Sequence, residues 1–208
     1  RDTLQSLCAL RRHLLSAIDL EDAERWIRMV AVNRLTGHSP GYFSVYSLPP
    51  NQAVSVDAQR KINAKRNQTP EPRDVPGLIL KRSKSLLATC DAKTTASLTE
   101  AAKTSQFTTA PAHRTPFIED GSVDLVVTSP PFLDVVDYAG DNWLRGWFCG
   151  VDPATVQLTS TRKLADWQAV MTGALRERRR VVKRGGHVAF EVGEVRGGTV
   201  RLEEAVLP

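Results

Sequence analysis

A chain of 208 residues that is 41% hydrophobic and 25% charged can bury a sizeable core without crosslinks, and is not a disordered, collagen-like or low-complexity polymer. Lys plus Arg (28) exceed Asp plus Glu (23) for a net charge of +5, which permits an acidic partner such as nucleic acid without requiring one. No apolar run approaches the roughly 20 residues of a bilayer span, and the Arg1-Asp2 start lacks the apolar core of a signal peptide, so the expectation is a soluble, cytoplasmic chain that does not enter a membrane.

The first 35 residues carry apolar positions at three- and four-residue spacing: Leu4, Leu7, Leu10, Leu14 and Ile18, then Trp26, Ile27, Val30 and Val32 beyond an acidic break at Glu21-Asp22. That pattern predicts two helices. Residues 36–51 hold Gly37, Pro40, Gly41, Pro49 and Pro50 around Tyr42, Phe43, Val45 and Tyr46, a loop too irregular for a helix but rich in rings that can stack. A polar helix is predicted over 54–66, a connector with Pro70, Pro72 and Pro76 follows, and an amphipathic helix resumes over 77–88. Within 57–84, Arg60, Lys61, Lys65, Arg66, Arg73, Lys81, Arg82 and Lys84 face Asp57, Glu71 and Asp74. Such an excess is either a solvated helix face or a phosphate-contacting surface.

The second half changes character. Ser122 to Thr128 is a β-branched run stopped by Pro130-Pro131, the appearance of a buried strand of a parallel sheet meeting a loop. A predicted helix over 167–182, a Gly185-Gly186 turn supplying a left-handed cap, and a strand from His187 to Val192 read as the αβ connection of a doubly wound sheet. A third extended segment, 199–202, starts a hairpin or a crossover. The expected organisation is a helical and loop-rich region over 1–82, then an α/β domain over 83–208. Trp143, Trp147 and Phe148 are expected to pack against the sheet. Cys8, Cys90 and Cys149 are odd in number and widely spaced, with no CxxC and no nearby His at ligand spacing, so reduced thiols are expected, with no disulfide framework and no metal site.

The segment with most chemical content is Thr128-Ser129-Pro130-Pro131-Phe132, at the C-terminal end of the predicted strand, where open α/β sheets bind ligands. Two prolines stiffen the backbone and remove its donors, leaving carbonyls as rigid acceptors beside a small hydroxyl and an aromatic ring. Together they suit a flat group carrying an NH2. Asp134, Asp137 and Tyr138 beyond the motif either line the same cleft or cap a helix start. Glu191, near the second strand's end, is a further candidate for that cleft.

Ser-Pro-Pro-Phe after a hydrophobic strand introduced by Asp120-Gly-Ser-Val-Asp124 resembles the catalytic motif of S-adenosylmethionine-dependent DNA amino methyltransferases. The likeness extends over residues 83–205, through Leu86-Leu-Ala-Thr-Cys-Asp91, Arg180-Val-Val-Lys-Arg-Gly-Gly186 and Phe190-Glu-Val-Gly193. Gly37–Pro50 also resembles a segment of bacterial DNA methylases. The resemblance implies part of a Rossmann-like class I methyltransferase sheet and methyl transfer to an exocyclic base amine, with N4 of cytosine favoured over N6 of adenine because the motif begins with Ser. It implies catalytic roles for Ser129, Pro130, Pro131 and Phe132, and contacts to the cofactor S-adenosylmethionine from Asp91, Thr128 and Ser129. Tyr42, Arg60, Lys61, Lys65, Arg66, Asp134 and Tyr138 are the candidates for touching DNA, the expected partner. Methylation at C5 of cytosine would need a nucleophilic cysteine after proline in that family, and none of the three cysteines follows one.

One part of the family pattern is missing. The thirteen glycines contain no G-x-G, so the glycine-rich loop that admits the cofactor's methionine moiety is not in these residues. With Arg1 in place of an initiator Met, the expectation is a C-terminal fragment, its loop supplied by a missing N-terminal half or a separate chain. An RNA base-amino methyltransferase and a non-catalytic nucleic-acid-binding remnant are the alternative readings.

Overall fold

The computed structural model describes residues 1–47, 52–133, 136–152, 155–156 and 161–206. About half of these residues are helical, and the chain divides into two compact, interleaved units, Arg1–Thr104 with Tyr138–Gln157 and Ser105–Asp137 with Leu158–Pro208. No helix is long and apolar enough to cross a membrane.

The first unit is helical. α1 (Asp2–Ser16) and α2 (Asp22–Val32) are the two helices the spacing predicts, and the acidic break between them is a capping box in which Glu21 and Glu24 satisfy each other's backbone N–H groups. α3 (Val56–Lys65) starts on the Ser55 hydroxyl, and α4 (Val75–Leu87) on the Asp74 carboxylate with Pro76 in its first turn, where a missing N–H costs nothing. α5 (Ala92–Thr104) buries no side chain. The short helices α6 (Tyr138–Asp141) and α7 (Trp143–Cys149) return to this unit. Its core gathers Leu7, Leu14, Val30, Leu35, Ile79 and the fully buried Phe148. Trp147 and Phe148 therefore pack on α1 and α2 rather than on a sheet, and Trp143 lies beside Val54 instead. An expected boundary after residue 82 falls inside α4, which is held against α1 and α2 by Val75, Ile79 and a 2.9 Å bond from the Trp26 indole to the Ser83 hydroxyl.

The second unit carries the strands. β1 (Val123–Thr128) pairs in parallel with β2 (Val182–Phe190), which follows directly on α8 (Leu164–Val181). Gly185 and Gly186 therefore do not cap the helix; Val182 does so in an extended conformation. The two glycines instead lie in an irregularity of β2, between the pairs Val123–Val182 and Leu125–His187. Gly185 has φ +83°, and Gly186 lies too close to the Asp124 carbonyl for a side chain to fit without adjustment. β3 (Glu194–Val195) and β4 (Val200–Arg201) make a small antiparallel hairpin, which leads into α9 (Leu202–Val206). Among the described residues the parallel sheet has two strands, and a full Rossmann-like sheet is not shown.

The strand expected to be buried is largely exposed. Leu125 and Val127 are 56% and 73% accessible, and Val188 beside them 41%. With one neighbouring strand, β1 keeps an open edge and uncovered side chains. The apolar core of this unit lies instead beyond the strands' C-terminal ends, where Leu133, Trp167, Met171, Val195 and Leu202 meet.

Candidate functional site

Thr128-Ser129-Pro130-Pro131-Phe132 leaves the C-terminal end of β1, as the hydrophobic run and the double proline predict. The ladder extends one bond past the strand: the Glu191 N–H donates to the Thr128 carbonyl at 2.9 Å, so residues 128 and 191 sit side by side where the two chains leave the sheet. Proline then supplies no further donors. The Trp167 indole N–H, from the first turn of α8, donates to the Pro131 carbonyl at 2.8 Å, and Phe132 and Leu133 pack into the Trp167 cluster. One carbonyl and one ring are thus tied to the core. The Ser129 side chain is exposed, and neither its hydroxyl nor the Pro130 carbonyl has a hydrogen-bond partner among the described residues. Stiff backbone with free acceptors can bind an amine donor.

A charged network lies at the other end of β1, where the Gly121 N–H donates to the Arg180 carbonyl. Glu177 of α8 accepts from the Thr115 N–H at 2.8 Å and the Thr115 hydroxyl at 2.7 Å, and pairs with Arg180 at 2.6 Å. Arg180 also donates to the Thr115 and Ile118 carbonyls and pairs with Asp120. The Arg180 and Thr115 donors hold the Glu177 carboxyl down at about 2, while its carboxylate partners push the guanidinium's pKa upward. This network closes the approach to β1 with backbone carbonyls satisfied, a structural role.

Other expected site residues lie elsewhere. Leu86 and Leu87 end α4, so Asp91 does not close a strand; it starts α5, its carboxylate accepting the Thr94 N–H at 2.7 Å. That bond to the backbone, with the Thr94 side chain, keeps the Asp91 carboxyl below its ordinary range. Local capping outcompetes an extended conformation here because Asp followed by an Ala-rich, Thr-rich run is a strong helix start. Asp134 lies outside the described residues. Tyr138 opens α6 in the first unit.

The helical unit gathers the remaining candidates. Arg34 stacks over the Tyr42 ring at 4.2 Å and Arg66 over Tyr46 at 3.7 Å, with His38 tilted against Tyr46. Arg60 pairs with Asp57 at 3.3 Å in full exposure, and Lys61 and Lys65 are exposed on α3. Residues with no sequence motif join them: Gln59, Asn63 and Gln68 tie α3 to the Tyr46 carbonyl, and the Trp143 indole donates to the Val54 carbonyl at 3.3 Å. The i,i+4 spacing of Gln59 and Asn63 was the available signal, but only folding of the 36–47 loop onto α3 gives it a purpose.

In comparisons with known proteins the chain matches no family model, no curated protein and no solved structure.

Proposed function

We propose that this chain is the amine-positioning part of a site-specific DNA methyltransferase that moves a methyl group from S-adenosylmethionine to an exocyclic base amine, N4 of cytosine in preference to N6 of adenine. The observation that carries this reading is the turn after β1, where the Pro131 carbonyl is tied to Trp167 while the Ser129 hydroxyl and Pro130 carbonyl have no partner among the described residues. An aromatic amine is a poor nucleophile because its lone pair is delocalised into the ring. Two fixed acceptors that take its N–H hydrogens favour a tetrahedral nitrogen, with acceptors placed before the reaction begins. Phe132 would stack on a base that has left the duplex.

The residues of this chain by themselves do not fit the cofactor. Two of the three residues after β1 are prolines without N–H groups, no G-x-G is present, and the Asp91 carboxylate is engaged in capping α5. The proposal therefore assigns the cofactor loop to a separate chain or an N-terminal half.

The test is transfer of labelled methyl groups to unmethylated duplex DNA by this chain together with its loop-supplying half. Ser129→Ala and Phe132→Ala should each lower transfer about a hundredfold, the scale of losing one positioned acceptor or donor. Undiminished transfer by both variants would show that the site is elsewhere. Mass analysis of the methylated nucleoside separates cytosine from adenine, and an RNA acceptor methylated in preference to DNA would favour the RNA reading.

A second reading is a non-catalytic nucleic-acid-binding module, favoured by the two Arg–Tyr stacks and the exposed lysines of α3. It predicts binding to DNA that weakens steeply with salt and needs no cofactor.

A further inference from the structure

A cavity of about 400 Å3 lies within the helical unit, between the 35–47 loop, residues 52–56, α3 and the start of α7. Its size falls in the roughly 300–1,000 Å3 range of small-molecule sites. Leu35, Phe43, Val54, Trp143 and Leu144 provide apolar wall. None of these side chains is used by the turn after β1.

The polar lining is sparse and oriented. Ser47 is only 5% exposed, and its hydroxyl has no hydrogen-bond partner among the described residues. Gln59 uses both its N–H groups, on the Tyr46 carbonyl at 2.9 Å and on Asn63 Oδ1 at 2.8 Å. Asn63 Oδ1 accepts a second bond from Gln68 at 2.8 Å. The amide orientations are therefore set by their neighbours. Among the described residues the Gln59 carbonyl oxygen and the Asn63 NH2 have no partner, which leaves an acceptor and a donor on two residues that line the cavity. Arg60 also lines the cavity, and Lys61, Lys65 and Arg66 follow it in sequence on and just past α3.

We infer that this cavity receives an unstacked nucleobase of a DNA strand, a base other than the one to be methylated. Every nucleobase presents a donor beside an acceptor on its Watson–Crick edge, which matches the Gln59 oxygen and Asn63 NH2. Its flat faces suit walls of Phe43, Val54 and Trp143, and the strand's phosphates meet Arg60 and the exposed lysines that follow it on α3. A charged small metabolite would need a buried counter-charge, and Arg60 is exposed. The assignment stands whether or not the chain transfers methyl groups.

The probe is a labelled single-stranded deoxyoligonucleotide, compared by fluorescence anisotropy with a strand of equal length that is abasic throughout, both titrated with the 208-residue chain without cofactor. The base-bearing strand should bind about tenfold more tightly or better, as expected when a base is stacked and hydrogen-bonded. Asn63→Leu should erase the difference, and so should Ser47→Val, which tests the cavity without touching the Gln59–Tyr46 tie. Lys61→Ala with Lys65→Ala should weaken both strands alike and flatten the salt dependence. Equal affinity of the unaltered chain for the two strands overturns the inference, as does a base preference that survives in folded Asn63→Leu and Ser47→Val proteins. Loss of methyl transfer in Ser129→Ala with base preference intact would leave this site standing, and the reverse pattern would remove it while sparing the catalytic reading.

Discussion

The indole N–H of Trp167 reaches the carbonyl of Pro131 across 36 positions of sequence, at 2.8 Å, and makes the double-proline turn part of the core of its unit. Trp167 is 2% exposed, so the bond is sheltered from water. Phe132 and Leu133, the next two residues, pack on the same cluster. The turn is thereby held from behind, and the Ser129 face is left to solvent.

Trp167→Phe keeps most of the ring and deletes the donor, leaving a carbonyl unpaired next to the core. The expected cost is about 1–3 kcal/mol. Urea unfolding of the two proteins measures it, and equal midpoints would mean that the bond does not hold the turn.

The acid limb of stability should depend on Glu177. Its carboxyl is held at about 2 in the folded chain against an ordinary 4.5, by donors from Arg180 and Thr115. A depressed pKa means the unfolded chain takes up the proton first, so this stabilisation is present above about 4.5 and is lost as the pH falls toward 2. Glu177→Gln should lower stability at neutral pH and make the unfolding midpoint less sensitive to pH between 4.5 and 2. A variant with the unaltered chain's pH profile would contradict this.

Asp91→Ala should act on α5 and nowhere else. It removes the acceptor for the Thr94 N–H at the start of a helix that buries no side chain, and so loosens that helix end. Amide exchange should quicken in residues 92–104 while the α1 and α2 amides keep their protection. Uniform loss of protection would show that α5 is coupled to the core.

Phe148→Ala tests the core of the helical unit. The ring is fully buried among side chains of α1 and α2, and its removal leaves a cavity costing about 3–5 kcal/mol. Calorimetry should show a lower transition for the helical unit, and an unchanged trace would place Phe148 outside the stabilising core.

The elements whose patterns are local were legible. Leu7, Leu14 and Val30 recur at helical spacing, and α1 and α2 bury them. Val123–Thr128 is β-branched and ends at a double proline, and the strand stops there. The 199–202 segment pairs with Glu194–Val195 in the hairpin that was one of its two expected forms. The Gly185-Gly186 pair was misread as a helix cap because left-handed φ is compatible with both a cap and a strand irregularity, and only the register with β1 separates them. Asp91 was misread as a strand end because a helix start and a strand end share the same short polar signal.

By itself the amino-acid sequence determined the helices of the first 35 residues, the strand that carries the Ser-Pro-Pro-Phe turn and the absence of a glycine-rich loop, since backbone preference and apolar spacing act over a few residues. Tertiary structure alone decided that Trp143 and Phe148 belong with α1, α2 and α3 rather than with the strands, and that Trp167 clamps Pro131. It also decided that Ser47, Gln59 and Asn63 share one cavity. Those relations join positions up to 136 apart, as between Arg11 and the Trp147 carbonyl, and are set by which apolar faces bury each other, a property no local pattern encodes.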